Sequence, residues 1–204
     1  MAAIAHESKS RFLDAALQVI RAKGYEATTI DDLCDAAQLP KGSFFHHFAS
    51  KEELALAAAG HFADLAERKF AQAPYSALAD PLSRLLGYVD FRRSILEGEL
   101  PEYTCLLGTM VQKAYATHPA IRNACERHLG EHFATLTRDI VEAKKHYAPR
   151  ARWRADSLAV TMQATIQGAF VFAKARQDVA VADECLGHLR CYLVLLFDPH
   201  KVKE

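Results

Sequence analysis

The chain has 204 residues, half of them hydrophobic and a quarter charged, and its 25 Lys and Arg balance 25 Asp and Glu. This mixture belongs to a globular protein that can bury a real core, and no apolar run approaches the roughly 18–20 residues of a membrane span. A net charge of zero argues against coating nucleic acid by bulk electrostatics, but leaves room for a local, shaped surface.

The opening MAAIAHESKSRFLDAA has no basic head followed by an apolar core, so no secretory signal is expected. Cys34, Cys105, Cys125, Cys185 and Cys191 are odd in number and contain no C-x-x-C pair. They fit neither a disulfide framework nor a tetrahedral zinc site, and reduced thiols in a cytoplasm are the expectation.

In the first segment Phe12, Leu13, Ala16, Leu17 and Ile20 share one helical face, and Gly24 is placed to end the helix. Thr29 can cap a short second helix that turns Ile30, Leu33, Cys34 and Ala37 inward. After Leu39-Pro40, a third short helix is expected from about Lys41 to His47. Ser50 with Glu53 reads as a capping box for a long fourth helix, with Leu54, Ala58, Phe62, Leu65 and Ala66 on its inner face. Pro74 ends it. Five more helices follow at roughly 80–97, 103–116, 119–147, 155–176 and 182–197, separated at Pro101, His118-Pro119, Pro149 and Asp178. No run alternates as strands do. The fold class is therefore all-α with about nine helices, divided into an N-terminal domain over 1–54 and a C-terminal domain over 55–204.

The segment GYEATTIDDLCDAAQLPKGSFFHHFASKEEL, Gly24 to Leu54, carries the most information. Two short helices with a tight connection, held against a longer first helix, form a helix-turn-helix. Leu33, Ala37, Leu39, Phe44 and Phe48 are apolar where the short helices touch. Lys41-Gly42-Ser43 then places a cation, a residue without a side chain and a hydroxyl at the start of the third helix, where the helix dipole also favours phosphate.

This stretch resembles the DNA-binding domain of the TetR family of bacterial regulators. Gly24, Tyr25, Thr28, Thr29, Ile30, Leu33, Ala37, Gly42, His47, Phe48, Lys51 and Leu54 match its pattern in register. Four residues depart from it. Cys34 replaces Ala, Gln38 stands where Gly is usual, Phe45 replaces a Tyr whose hydroxyl reaches phosphate, and Pro40 occupies a position commonly held by a capping Ser or Thr. The resemblance implies phosphate contacts by Thr28, Thr29 and Lys51. Base-edge contacts fall to Lys41, Ser43, Phe44 and His46, with Gly42 allowing close approach and His46 standing in for the phenol missing at Phe45. His47 is divided between DNA contact and packing, and Phe48 is assigned to packing. Residues 1–52 hold six basic and seven acidic side chains, so binding must come from placement rather than net charge.

From residue 55 onward the resemblance implies a helical bundle around a small-molecule effector and dimerisation through the last two helices, suited to a palindromic double-stranded operator. The sequence offers Leu158, Met162, Thr165, Ile166, Ala169 and Phe172, with Gly168 and Ala173, on one helix. Leu186, Leu189, Tyr192, Leu193, Leu196 and Phe197 lie on the other. Both faces also suit an intrachain core. Candidate effector residues are Tyr88, Phe91, Tyr103, Cys105, Met110, Tyr115, Met162, Ile166 and Phe170, a set suited to an apolar or aromatic molecule. Tyr103–Gly108 also resembles the start of the sixth helix in a TetR subgroup that includes electrophile-sensing repressors, with Lys174 in the place of a helping lysine. A buried structural thiol is the alternative for Cys105.

His128 and His132 have the spacing to clamp one ion, but Cys125 lies roughly 10 Å from His132 along a helix, so no metal site is expected. No cofactor loop and no nucleophile–base–orienter set is recognisable. The expected protein is a ligand-responsive repressor acting as a homodimer. The competing readings are an all-helical protein using Cys105 for redox or enzymatic chemistry, and a helical partner-binding protein without DNA binding.

Overall fold

The computed structural model describes residues 2–197. Ten α-helices and one 3-10 turn build the described residues, with no strand among them. No helix there is long and apolar enough to cross a membrane. The end of the expected C-terminal domain, 198–204, lies outside the described residues. The chain divides into two units, residues 1–66 with 104–129, and residues 67–103 with 130–204.

In the first unit α1 (Ala2–Lys23), α2 (Ile30–Ala37), α3 (Lys41–His47) and the start of α4 (Lys51–Ala71) pack with α7 (Leu106–Ala114) and the first turns of α8 (Pro119–Tyr147). Phe12, Ile20, Leu33, Phe44, Leu54, Leu106, Met110 and Ile121 are fully buried in one apolar cluster. Phe12 meets Phe44 edge-on at 5.5 Å between ring centres and Phe48 at 6.4 Å, a favoured aromatic geometry that fixes α3 on α1. Thr29 caps α2 through the Asp32 N–H, and the Asp32 carboxylate answers to the Thr29 N–H at 2.9 Å. The Lys23 hydrogen bond, followed by those from Thr29, holds that carboxyl down to about 2. At the start of α4, Ser50 accepts from the Glu53 N–H at 3.1 Å, while the Glu53 carboxylate reaches the Ala49 N–H.

The second unit contains the end of α4, the 3-10 turn Pro74–Ala77, α5 (Pro81–Ser94), α6 (Leu100–Tyr103), the rest of α8, α9 (Ala155–Arg176) and α10 (Ala180–Phe197). Arg93 bonds Asp183 in a bidentate pair at 2.7 and 2.8 Å, and Arg190 reaches Asp90 at 2.8 Å, so two ion pairs tie α5 to α10. A side chain on Gly87 would meet the Tyr75 Cβ at 2.5 Å, which is why α5 carries a glycine beneath the 3-10 turn. The helix expected over 103–116 is α7 alone: a separate turn, α6, ends at Tyr103, the chain breaks at Thr104, and the Cys105 sulfur caps α7 by accepting from the Gly108 N–H.

The proposed contact faces on the last two helices need correction. Leu158, Met162, Ile166, Ala169 and Ala173 on α9, with Leu186, Leu189, Leu193 and Phe197 on α10, are buried in their own chain. Only Phe172 and Tyr192 from those sets are exposed. The apolar residues that do face solvent are Val160, Val171, Phe172, Tyr192 and Leu195. At about 100° per residue, a step of one position moves a side chain from the inner face to the outer one.

Candidate nucleic-acid interface

The geometry of the α2–α3 turn follows from two residues. Gln38 ends α2 at φ 52°, ψ 45°, a left-handed conformation disfavoured for residues with a Cβ. Pro40 precedes α3 without a side-chain cap. The first turn of α3 therefore keeps its backbone N–H groups free of a side-chain acceptor. On the helix itself Lys41, Gly42, Phe45 and His46 are exposed, Ser43 and His47 are half-buried, and Phe44 is fully buried. Nothing lies within 4 Å of a Cβ built on Gly42. A helical glycine costs up to about 1 kcal/mol relative to Ala, and the surrounding fold supplies no steric reason for this one.

Lys41 holds Asp31 at 2.8 Å, with both side chains mostly in solvent. Phe45 is 52% exposed, and its ring lies edge-on to the fully buried Phe44 at 5.3 Å. His47 Nε2 lies 2.6 Å from the Ser8 hydroxyl, and burial, then His46 and Lys9, lowers its pKa.

Three residues assigned to DNA turn elsewhere. Phe44 is packed between Phe12 and Phe48, so it holds the helix and has no edge to offer a base. The Thr28 hydroxyl is buried and donates to the Gly24 carbonyl at 2.8 Å. The Lys51 ammonium donates to the carbonyls of Tyr25 and Thr28 at 3.0 and 2.8 Å and lies 4.5 Å from the Tyr25 ring centre. Lys51 thus pins the loop that presents the start of α2. The Tyr25 phenol is pushed up to about 12, by burial first and Glu52 second.

In the second unit an aromatic cluster surrounds a short polar chain. Gln163 donates to the buried Tyr88 hydroxyl at 2.7 Å, and that hydroxyl lies 3.0 Å from His132 Nε2. Burial, then the charge of Arg92, pushes His132 down to about 4, so it is neutral near pH 7 and can accept the phenol proton. Burial also raises the Tyr75 phenol. Phe70, Tyr75, Tyr88 and Phe91 meet tilted or edge-on with ring centres 5.6–5.9 Å apart.

Two parts of the chain match known families. Residues 12–58 match bacterial regulatory proteins of the tetR family, and residues 81–185 match the C-terminal domain of LmrA/YxaF-like transcriptional regulators. The chain belongs to the TetR family of transcriptional regulators. The HTH-type transcriptional repressor DhaR of a Mycobacterium species is 25% identical over 178 residues, covering 87% of this chain and 88% of that protein. A TetR transcriptional regulator from Chloroflexus aurantiacus superposes with a TM-score of 0.81 at 26% identity, over 93% of this chain and 96% of the other. The regulatory protein TetR from Rhodobacter sphaeroides gives 0.80 at 25% identity, over 95% and 99%.

Membership makes the chain a DNA-binding transcriptional regulator, not an enzyme. Of the effector residues expected in this TetR-family chain, Tyr88, Phe91, Tyr103, Met162, Ile166, Phe170 and Lys174 belong to the second unit. Cys105, Met110 and Tyr115 belong to the first. Met110 is fully buried in the core that contains Phe12, and Tyr115 is 59% exposed. Sequence reasoning missed Phe70, Arg92, His132 and Gln163. Arg92 stands four residues after Tyr88, a spacing that places both on one helical face, and His132 presents itself in the sequence only through its metal-ligand spacing from His128. An open groove of about 600 Å³ elsewhere in this unit is lined by Val141, Lys144, Lys145, Pro149 and Arg154, none of them an expected effector residue.

Proposed function

We propose that the protein is a homodimeric repressor that reads a palindromic operator through residues 1–54 and is released when a small apolar, aromatic or electrophilic molecule binds within residues 55–204. The observation that carries the DNA-reading part is the exposed row Lys41, Gly42, Phe45 and His46, with an unpacked glycine at its centre. Ser43, His47 and Thr29 flank the row. Thr29 sits at the start of α2, whose backbone N–H groups suit phosphate. Phe45 offers an apolar ring to thymine methyls or deoxyribose in place of a phosphate contact.

Dimerisation has support in the exposed apolar residues of α9 and α10, and the two-fold symmetry it would bring matches a palindrome. Tyr88, Phe91, Phe170 and their neighbours are the reading for the effector site, and effector binding would favour a state whose two α3 helices no longer match successive major grooves. A second reading rests on Cys105, half-buried with its sulfur at the start of α7, as the target of an electrophile. If Cys105→Ser leaves the response to every electrophile unchanged, that second reading falls.

The test is a gel shift with DNA from upstream of the protein's own gene. Wild type is expected to shift it, and the double variant Lys41→Ala, Ser43→Ala to lose the shift while sedimenting like wild type. Equal shifts for both proteins would overturn the assignment.

A further inference from the structure

The packing of α3 on α1 is not wholly apolar. Ser8 stands one turn before Phe12, on the face of α1 that meets Phe44 and Phe48, and its hydroxyl lies 2.6 Å from His47 Nε2. Both residues are half-buried. The His47 ring is bounded by His46 at 4.8 Å between ring centres and by Phe48 at 6.2 Å. With Nε2 engaged by Ser8, Nδ1 is the ring nitrogen left for a second partner.

The charge around this ring decides when it carries a second proton. Lys9 of α1 and His46 of α3 are the charged and titratable groups that act on it, and no carboxylate is among them. Lys9 also lies 5.7 Å from the Phe48 ring centre, which keeps its charge at the same corner. Burial opposes the proton most, and both neighbours add to it, so His47 is neutral at pH 7 in the free protein. An imidazolium has two N–H donors, and at a half-buried site each needs an acceptor. The Ser8 oxygen can accept from one. The natural ligand of a helix-turn-helix is a row of phosphates, which can accept from the other and whose charge favours the protonated ring.

We infer that Ser8 is a positioning residue for operator binding: it holds His47 by Nε2, so that Nδ1 takes up a proton from solvent and donates a hydrogen bond to an operator phosphate. The inference rests on the reading of residues 1–54 as DNA-reading and assigns His47 to that surface, with Ser8 acting only through it. Each protomer takes up one proton on binding. Operator affinity therefore rises as the pH falls, by up to about ten-fold per pH unit for each protomer, and levels off below the pKa of the free ring.

The experiment is operator binding by the full chain, with the upstream duplex that wild type shifts as the probe. Anisotropy is measured at pH 6, 7 and 8 at constant ionic strength, and calorimetry at pH 7 in buffers of different ionisation enthalpy counts the protons. Wild type is expected to take up protons and to bind about ten-fold or more tightly at pH 6 than at pH 8. His46 is exposed on the same helix, so variants at Ser8 and His47 separate its share. Ser8→Ala and His47→Gln are each expected to remove at least about three-fold of the gain and to lower the proton count, and Ser8→Thr to restore both. Ser8→Ala with the wild-type pH profile, or weakened equally at every pH as loss of a merely structural contact would give, overturns the inference. Alanine suits the middle of a helix, and should Ser8→Ala still fail to fold, equal proton counts for wild type and His47→Gln overturn it as well. Wild type that binds the duplex without proton uptake refutes this inference and leaves the DNA reading; wild type that binds no duplex at any pH refutes both.

Discussion

Arg11 of α1 donates to the carbonyl of Ala37, the last residue of α2, at 2.5 Å, and the same nitrogen lies 3.2 Å from the Gln38 carbonyl. One side chain thus braces the turn in which Gln38 is held left-handed. That conformation costs a residue with a Cβ about 1–2 kcal/mol. Gln38→Gly removes the cost but gives back about 0.4–1 kcal/mol through the freer unfolded chain. A net gain of up to about 1 kcal/mol in urea unfolding is expected, and a loss of about 1–2 kcal/mol for Gln38→Val, whose branched side chain resists positive φ.

Gly42 separates stability from function. Gly42→Ala has open space around the added methyl and improves helix propensity, so it is expected to raise stability by up to about 1 kcal/mol. Operator affinity is expected to fall by ten-fold or more because the methyl would meet the DNA. Melting curves and fluorescence anisotropy on the same preparation check both signs.

His132 gives the second unit an acid-sensitive core. Folding keeps its imidazole neutral and moves its pKa from 6.5 to about 4, so between those values the unfolded chain carries the extra proton. Its contribution is complete above about pH 6.5, is lost as the pH falls towards 4, and changes no further below that; the upper bound is about 3 kcal/mol. His132→Gln keeps a group able to accept from the Tyr88 phenol and removes the titration. Stability measured from pH 7 to pH 4.5 is expected to fall less steeply in this variant than in wild type.

The outer faces of α9 and α10 predict the oligomeric state. Phe172 is 59% exposed, and burying such a side chain contributes about 1.5–3 kcal/mol. In a two-fold interface it counts twice, so Phe172→Asp is expected to weaken the dimer by at least a hundred-fold, with Leu195→Glu acting in the same direction. Sedimentation at micromolar concentration is expected to show wild type as a dimer and Phe172→Asp as a monomer with an unchanged helical circular dichroism signal.

The apolar spacing of α1 to α3 and of the first turns of α4, and the signals at Gly24, Thr29, Ser50 and Pro74, are readable because each is local: a 3.6-residue period, a cap or a break; further along α4, Leu65, expected on the inner face, is exposed. The direction of a long or rotatable side chain is not readable. Lys51 beside a helix start looks the same whether it reaches out to phosphate or folds back onto the Tyr25 and Thr28 carbonyls. Phe44 had a usable signal, since Phe44 and Phe48 stand at i and i+4 and so share the inner face, leaving Phe45 outside. The 3-10 turn Pro74–Ala77 and the break at Thr104 depend on contacts such as Tyr75 over Gly87, and those pair residues distant in sequence. Arg92 was illegible for the same reason, because the rings that flank it come from α4 and α9.

The most direct test of DNA reading by α3 is operator affinity as a function of salt. Lys41 is held by Asp31 in the free protein, an exposed pair worth at most about 1 kcal/mol, so phosphate can displace the carboxylate easily. Anisotropy titrations from 50 to 300 mM salt are expected to give a falling line of log K against log salt concentration. Lys41→Ala removes one cation from each protomer of the dimer and should make its slope shallower by about two units, and Asp31→Asn should tighten binding several-fold. A slope near zero for the specific operator, or the same line for wild type and Lys41→Ala, would contradict the account.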